Sequence, residues 1–163
     1  MSPIDVGAAI FHRARGVGRV VDVETRKWEQ EETRYLVVEM TALGYTMRIP
    51  DSSPYIRRVL TDPAVILSTL GSQAEVLPEN YKSRQAAISN AVKSGEPEKI
   101  AAAARDLRAY AESHDGSWTA GGERLYERAM RMLAAEVAAA KDCDLREASE
   151  LVRDAVSGGL TAA

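Results

Sequence analysis

The hydrophobic period of the chain changes once, just past residue 50, and that change most constrains its fold. The stretch from Arg15 to Pro50 reads RGVGRVVDVETRKWEQEETRYLVVEMTALGYTMRIP. Val17, Val20 and Val23 form one apolar set, Leu36, Val38 and Met40 a second, and the run Tyr45 to Ile49 a third. Alternating β-branched and polar residues, broken by glycine and charged turns, are the mark of half-buried antiparallel strands. Neighbouring side chains on a strand point to opposite faces, so inward Met47 and Ile49 leave Arg48 outward. Arg26 falls at the end of the preceding strand, beside the charged turn Glu29 to Glu32. A small twisted sheet carrying outward arginines is expected, with no catalytic group on it.

Helical spacing takes over after Asp51-Ser-Ser-Pro54. Pro54 to Leu60 suits one or two helical turns, and Asp62-Pro63 offers an N-cap followed by proline in the first turn. A connector over 72–80 leads into a helix from about Tyr81 to Lys93. The next begins at Pro97, with Ile100, Ala103, Ala104, Leu107 and Ala111 on one face. A long helix is expected over 121–141. Asp144 and Glu147 then form a capping-box-like pair for a last helix, which Gly158-Gly159 should end. The fold class is therefore α+β: a small antiparallel sheet or barrel over residues 1–54, then a compact all-α domain over 55–163.

Ahead of the sheet, Ala8 to Phe11 suits a short strand and His12-Arg-Ala-Arg15 a basic loop. Gly16 and Gly18 permit a tight bend or a bulge. A phosphate loop is not expected, because that motif needs a further spaced glycine and a helix opening behind it, and here a strand follows. Trp28 has two readings, a cap on the edge of the small core or added area in a protein contact.

The net charge of −3 gives no bulk attraction to nucleic acid. Charge is unevenly distributed, however. Residues 80–110 carry Lys82, Arg84, Lys93, Lys99, Arg105 and Arg108 against Glu96, Glu98 and Asp106, a local excess of positive charge in an otherwise acidic half. A limited DNA contact is possible there, given a partner that holds the protein in place. No apolar run approaches the ~20 residues of a membrane span, and the N-terminus lacks the pattern of a signal peptide. The single cysteine, Cys143, cannot close an internal disulfide and suits a reducing cytosol. It stands between Asp142 and Asp144, which disfavours a thiolate. His12 and His114 lie in polar loops without Cys or His at ligand spacing. No enzyme, metal or cofactor is expected.

The ordered segments GVGRVVDVETR, RYLVVEM, YTMRIP, LPENYKSR, SGEPEKIAAAARDLRAY and MLAAEVAAAK resemble the CarD/CdnL family of bacterial transcription regulators, from about Val6 to Val156. The N-terminal domain of that family is similar to the RNA-polymerase-interacting module of the transcription-repair coupling factor. The resemblance implies a Tudor- or SH3-like domain that binds the RNA polymerase β subunit by edge-to-edge strand pairing, a form of β-augmentation. Arg26 and Arg48 occupy the positions of the family's docking arginines. It further implies a helical domain that touches promoter DNA at the upstream edge of the bubble and modulates open-complex stability. There the family places a Trp at a helix start as a minor-groove wedge. Tyr81 holds that position here, with Lys82 and Arg84 as DNA-facing cations. Ser83 and Ala86 stand where some members carry basic residues, Gly7-Ala8 replaces a Gly-Asp, and His12 replaces a Pro. A cytoplasmic monomer is expected, with no membrane partner. Two alternatives stay open: a protein–protein adaptor with no DNA role, and a Tyr81 that packs beneath the connector.

Overall fold

The structure, a computed structural model, describes residues 3–41, 44–59 and 61–161. The chain divides into two compact units, Met1–Leu60 and Thr61–Ala163.

The first unit is a five-stranded sheet built from β1 (Ala9–His12), β2 (Gly16–Trp28), β3 (Glu31–Met40), β4 (Thr46–Pro50) and β5 (Ile56–Arg58). The spatial order is β4-β3-β2-β1-β5, and each neighbouring pair is antiparallel. Ile10, Val20, Leu36, Val38, Met40 and Ile49 form its core, with Val23 and Met47 packed against it. Val17 is buried too, yet it points the other way, because Gly18 and Val20 share the inner face. The register shifts between Val20 and Asp22, and exposed Val21 occupies the irregularity. That shift returns Val23 to the core side, opposite Leu36.

Gly18 is required by close packing. A Cβ there would lie 2.5 Å from Val38 Cγ1 and 2.9 Å from both the Glu39 carbonyl oxygen and Met40 Sδ. Gly16 meets no such crowding, but its φ of +84° favours glycine. The Gly-Val-Gly motif therefore opens a tightly paired strand.

The helical turns expected over 54–60 are not formed. Residues 56–58 are strand β5, which pairs with β1 and belongs to the sheet unit; Leu60 lies outside the described residues. Backbone bonds from Arg13 N–H to Tyr55 O (2.8 Å) and from Val59 N–H to Ala9 O (3.0 Å) frame the pairing. Tertiary pairing outweighs local propensity because three residues gain ladder bonds while Ile56 packs on the core. The sheet unit therefore takes in β5, and the division between the units falls after it.

In the second unit, α1 (Pro63–Gly71), α2 (Tyr81–Lys93), α3 (Pro97–Ser113), α4 (Ala120–Lys141) and α5 (Leu145–Thr161) follow one another. Asp62 caps α1 by accepting from Ala64 N–H, and Thr119 caps α4 by accepting from Gly122 N–H. The Asp144 carboxylate accepts from Glu147 N–H at 2.7 Å, capping α5. That helix runs on past Gly158 and Gly159 to Thr161. Gly158 is not among the residues with left-handed φ, so it makes no αL stop. Ile66, Leu70, Ile88, Val92, Leu107, Leu133, Val137 and Val152 form the core, and buried alanines on α3 and α4 let the helices approach closely.

Candidate functional site

On the sheet unit, Arg26 and Arg48 stand on one face. Val37 of β3 pairs with both Asp22 and Arg48, so these three residues share a side of the sheet. Glu24, Arg26 and Trp28 follow Asp22 at two-residue steps on that side. Both arginine side chains are more than half exposed, at 61% for Arg26 and 53% for Arg48. Glu24 links them: Arg48 Nε donates to Glu24 Oε2 at 3.0 Å, and Arg26 Nη2 donates to the same oxygen at 3.4 Å. The bond from Arg48 holds the Glu24 carboxyl below its ordinary range, and the same bond raises Arg48. Glu24 was missed in the sequence, where it reads as one more strand charge. Only the β2–β3 and β3–β4 registers together bring it diagonally across β3 to Arg48.

Trp28 is 81% exposed. It does not cap the core, and the reason lies in the pairing. Pairing of β1 with β2 ends at Arg19, and that of β4 with β3 ends at Tyr35. Beyond these limits the hairpin runs on as a two-stranded ribbon, closing with Trp28 opposite Glu31, and Glu29 takes a φ of 56° in the turn. With no third strand beside it, the ribbon has no core for the indole to cover.

On the helical unit, Asn80 caps α2 by accepting from Ser83 N–H at 3.1 Å. Tyr81 is therefore the first helical residue, and it is 48% exposed. Lys82 beside it is exposed. Arg84 is not available as a DNA-facing cation: it is 6% exposed, and Nη1 donates to the carbonyls of Pro78 (3.1 Å) and Glu79 (3.0 Å). One turn along α2 from Tyr81, its side chain turns inward with Ile88 and Val92.

Much of the positive charge over 80–110 is also engaged. Lys99 pairs with Glu96, Arg105 with Asp106 at 2.8 Å, and Arg108 reaches the Tyr126 hydroxyl at 3.3 Å. Lys82 and Lys93 are the exposed cations of that stretch with no ion pair among the described residues. Arg124, Arg128 and Arg131 on α4 are exposed as well, interleaved with Glu123 and Glu127. Arg124 lies one turn from Gly121, beside which the Tyr81 hydroxyl sits. In the sequence these arginines are easily missed, because Glu123 and Glu127 offset most of their charge.

Among the described residues, no group of three or more His, Cys, Asp or Glu could hold a metal ion. No described helix is long and apolar enough to cross a membrane. Burial is the first cause that lifts the Cys143 thiol above its usual range, followed by the nearby charges of Glu147 and Asp144.

Residues 4–59 match the family described as the CarD-like/TRCF RID domain, and residues 65–153 match CarD, C-terminal domain. A sheet module of the RNA-polymerase-interacting type followed by this helical module defines an RNA-polymerase-interacting regulator, and both modules are regulatory, non-catalytic interaction domains. The chain belongs to the CarD family.

Proposed function

We propose that the sheet unit binds the RNA polymerase β subunit through the face bearing Arg26, Arg48 and Trp28, and that the start of α2 contacts promoter DNA at the upstream edge of the bubble, so that the protein modulates open-complex stability. The observation that carries this reading is the pair of exposed arginines on one sheet face, joined by Glu24. A guanidinium already oriented by one carboxylate can present its remaining N–H groups to carboxylates or carbonyls of a partner. Trp28 continues the row with a large apolar surface, the residue type most enriched in binding hot spots. The strand edges of the ribbon offer unpaired backbone groups for β-augmentation.

For the DNA contact, Tyr81 at a helix N-terminus combines an exposed ring with backbone N–H groups and a favourable dipole for phosphate. Its half-exposure supports a ring that reaches outward over one that packs wholly beneath the connector.

The test has two arms. Arg26→Glu and Arg48→Glu should each weaken binding to the isolated β-subunit lobe by roughly three- to thirty-fold, the range for exposed charge-assisted contacts. Unchanged binding in both variants removes the docking assignment. In the second arm, Tyr81→Ala should shorten open-complex lifetime without loss of polymerase binding, and Tyr81→Trp should lengthen it, since a larger ring stacks over more area. An adaptor with no DNA role predicts lifetimes that ignore both substitutions.

A further inference from the structure

The side chain of Arg84 is built into the base of the α2 N-terminus. Its Nη1 bridges the Pro78 and Glu79 carbonyls, at 3.1 and 3.0 Å. These two residues immediately precede Asn80, the cap, so the bridge pins the turn that delivers Tyr81. The guanidinium carbon lies 4.2 Å from the centroid of the Tyr110 ring on α3 and 5.6 Å from that of Tyr81. Tyr110 is in turn stacked on His114, with centroids 4.1 Å apart and planes at 25°. On the far side, the Tyr81 hydroxyl meets the first turn of α4. A Cβ on Gly121 would lie 2.9 Å from Tyr81 Oη and 2.7 Å from Gln85 Nε2. Tyr81 is therefore bounded at its face by a buried cation and at its tip by a residue without a side chain.

From this arrangement we infer that Arg84 is a positioning residue, one that fixes the ring of Tyr81 and the Pro78–Asn80 turn, and that Gly121 completes the seat from α4. The inference deepens the proposed DNA contact and rests on it for its functional consequence. Arginine suits the task because its guanidinium is planar and weakly hydrated, so it can be buried while its N–H groups bond carbonyls and its faces stack on aromatic rings. A lysine carries the same charge as a compact, strongly hydrated point with no plane to stack. It cannot reproduce the bridge and the stack together, so charge-conserving replacement should not preserve the role.

The experiment uses the full-length chain as Arg84→Lys, Arg84→Gln, Gly121→Ala and Tyr81→Ala variants. Hydrogen exchange is read at the Ser83 and Arg84 amides, which both bond to Asn80. Arg84→Lys should speed that exchange at least about tenfold, the equivalent of one lost charge-assisted hydrogen bond. With polymerase and a promoter, it should shorten open-complex lifetime toward the Tyr81→Ala value. The dependence of binding on salt should stay unchanged even in Arg84→Gln. Were Arg84 a phosphate contact instead, Arg84→Lys would keep the lifetime and Arg84→Gln would reduce the salt slope by about one; that pattern overturns the inference. Gly121→Ala reaches the same ring without touching the cation. It should shorten the lifetime at an unchanged melting temperature, because the half-exposed ring can swing away, and an unaltered lifetime removes Gly121 from the seat. If Tyr81→Ala itself leaves the lifetime untouched, the DNA reading fails, and the exchange rates alone decide the positioning role. Wild-type exchange in Arg84→Lys then sinks it.

Discussion

Replacing Gly18 by alanine isolates the close packing that the Gly-Val-Gly segment permits. The added methyl would approach Val38 Cγ1 at 2.5 Å and the Glu39 carbonyl oxygen at 2.9 Å. Neither neighbour yields cheaply. Val38 is fully buried, and the carbonyl belongs to β3, whose register against β2 is fixed by Gly18 facing Met40 and Arg19 facing Glu39. Overpacking of this kind costs about 1–3 kcal/mol. Alanine recovers about 0.4–1 kcal/mol by restricting the unfolded chain where the native backbone suits it. A 2.5 Å approach to a buried methyl puts the cost in the upper half of that range, so the net loss is about 1–2.6 kcal/mol. At about 4–8 °C of melting temperature per kcal/mol for a unit of this size, a fall of about 5–20 °C is expected in the sheet transition. The assay is thermal unfolding of the full chain, with sheet amides followed by NMR and the helices by far-ultraviolet circular dichroism. The helical transition should not move, and polymerase binding should be lost at the lower temperature. An unshifted sheet transition would falsify the close-packing argument, since the Val38 methyl and the Glu39 carbonyl leave an added methyl no room.

Acid should weaken the sheet unit through Glu24. Its folded pKa lies below the ordinary 4.5, so its contribution is complete above that value and is lost as pH falls through the depressed one. Urea midpoints of the sheet should drop more steeply below that pH in the native chain than in Glu24→Gln, and parallel curves would contradict the linkage. Binding of free DNA should be weak, with a salt slope on the order of −1 to −3, because much of the charge over 80–110 is engaged within the fold; a slope steeper than about −5 would contradict this reading. Cys143 should react with a disulfide reagent more slowly than free glutathione at neutral pH, its thiol being held above the usual range. Faster reaction would contradict the burial and the acidic surroundings described.

The α+β division and most of the elements were legible in the sequence, for identifiable reasons. Strands β2 to β4 announce themselves through alternation, and α2 through its cap at Asn80 and the Ser94-Gly95 break after Lys93. What escaped was what pairing alone decides. Residues 56–58 contain Ile-Arg-Arg, which suits a helical turn as well as a strand, and only the open side of β1 makes them β5. Val17 looks like a companion of Val20, yet it faces the opposite way, and Val23 returns to the core only because the strand carries an irregularity at Val21. The site divides in the same manner. Outward Arg26 and Arg48 follow from alternation, but their shared carboxylate needed the register. Arg84 reads as a surface cation in the sequence because nothing local signals that two carbonyls and a tyrosine await it.

The two-stranded ribbon at the end of the β2–β3 hairpin also bears on self-association. Its exposed indole and open backbone edges are the ingredients of fibrillar stacking. In-register stacking, however, would lay Glu29, Glu31 and Glu32 directly over the same residues of the next copy, a column of like charges that Lys27, opposite Glu32, only partly offsets. A foreign strand without such a cluster meets no comparable barrier. The acidic tip therefore acts as a gatekeeper, which leaves the ribbon open to a different chain while keeping it from joining its own kind.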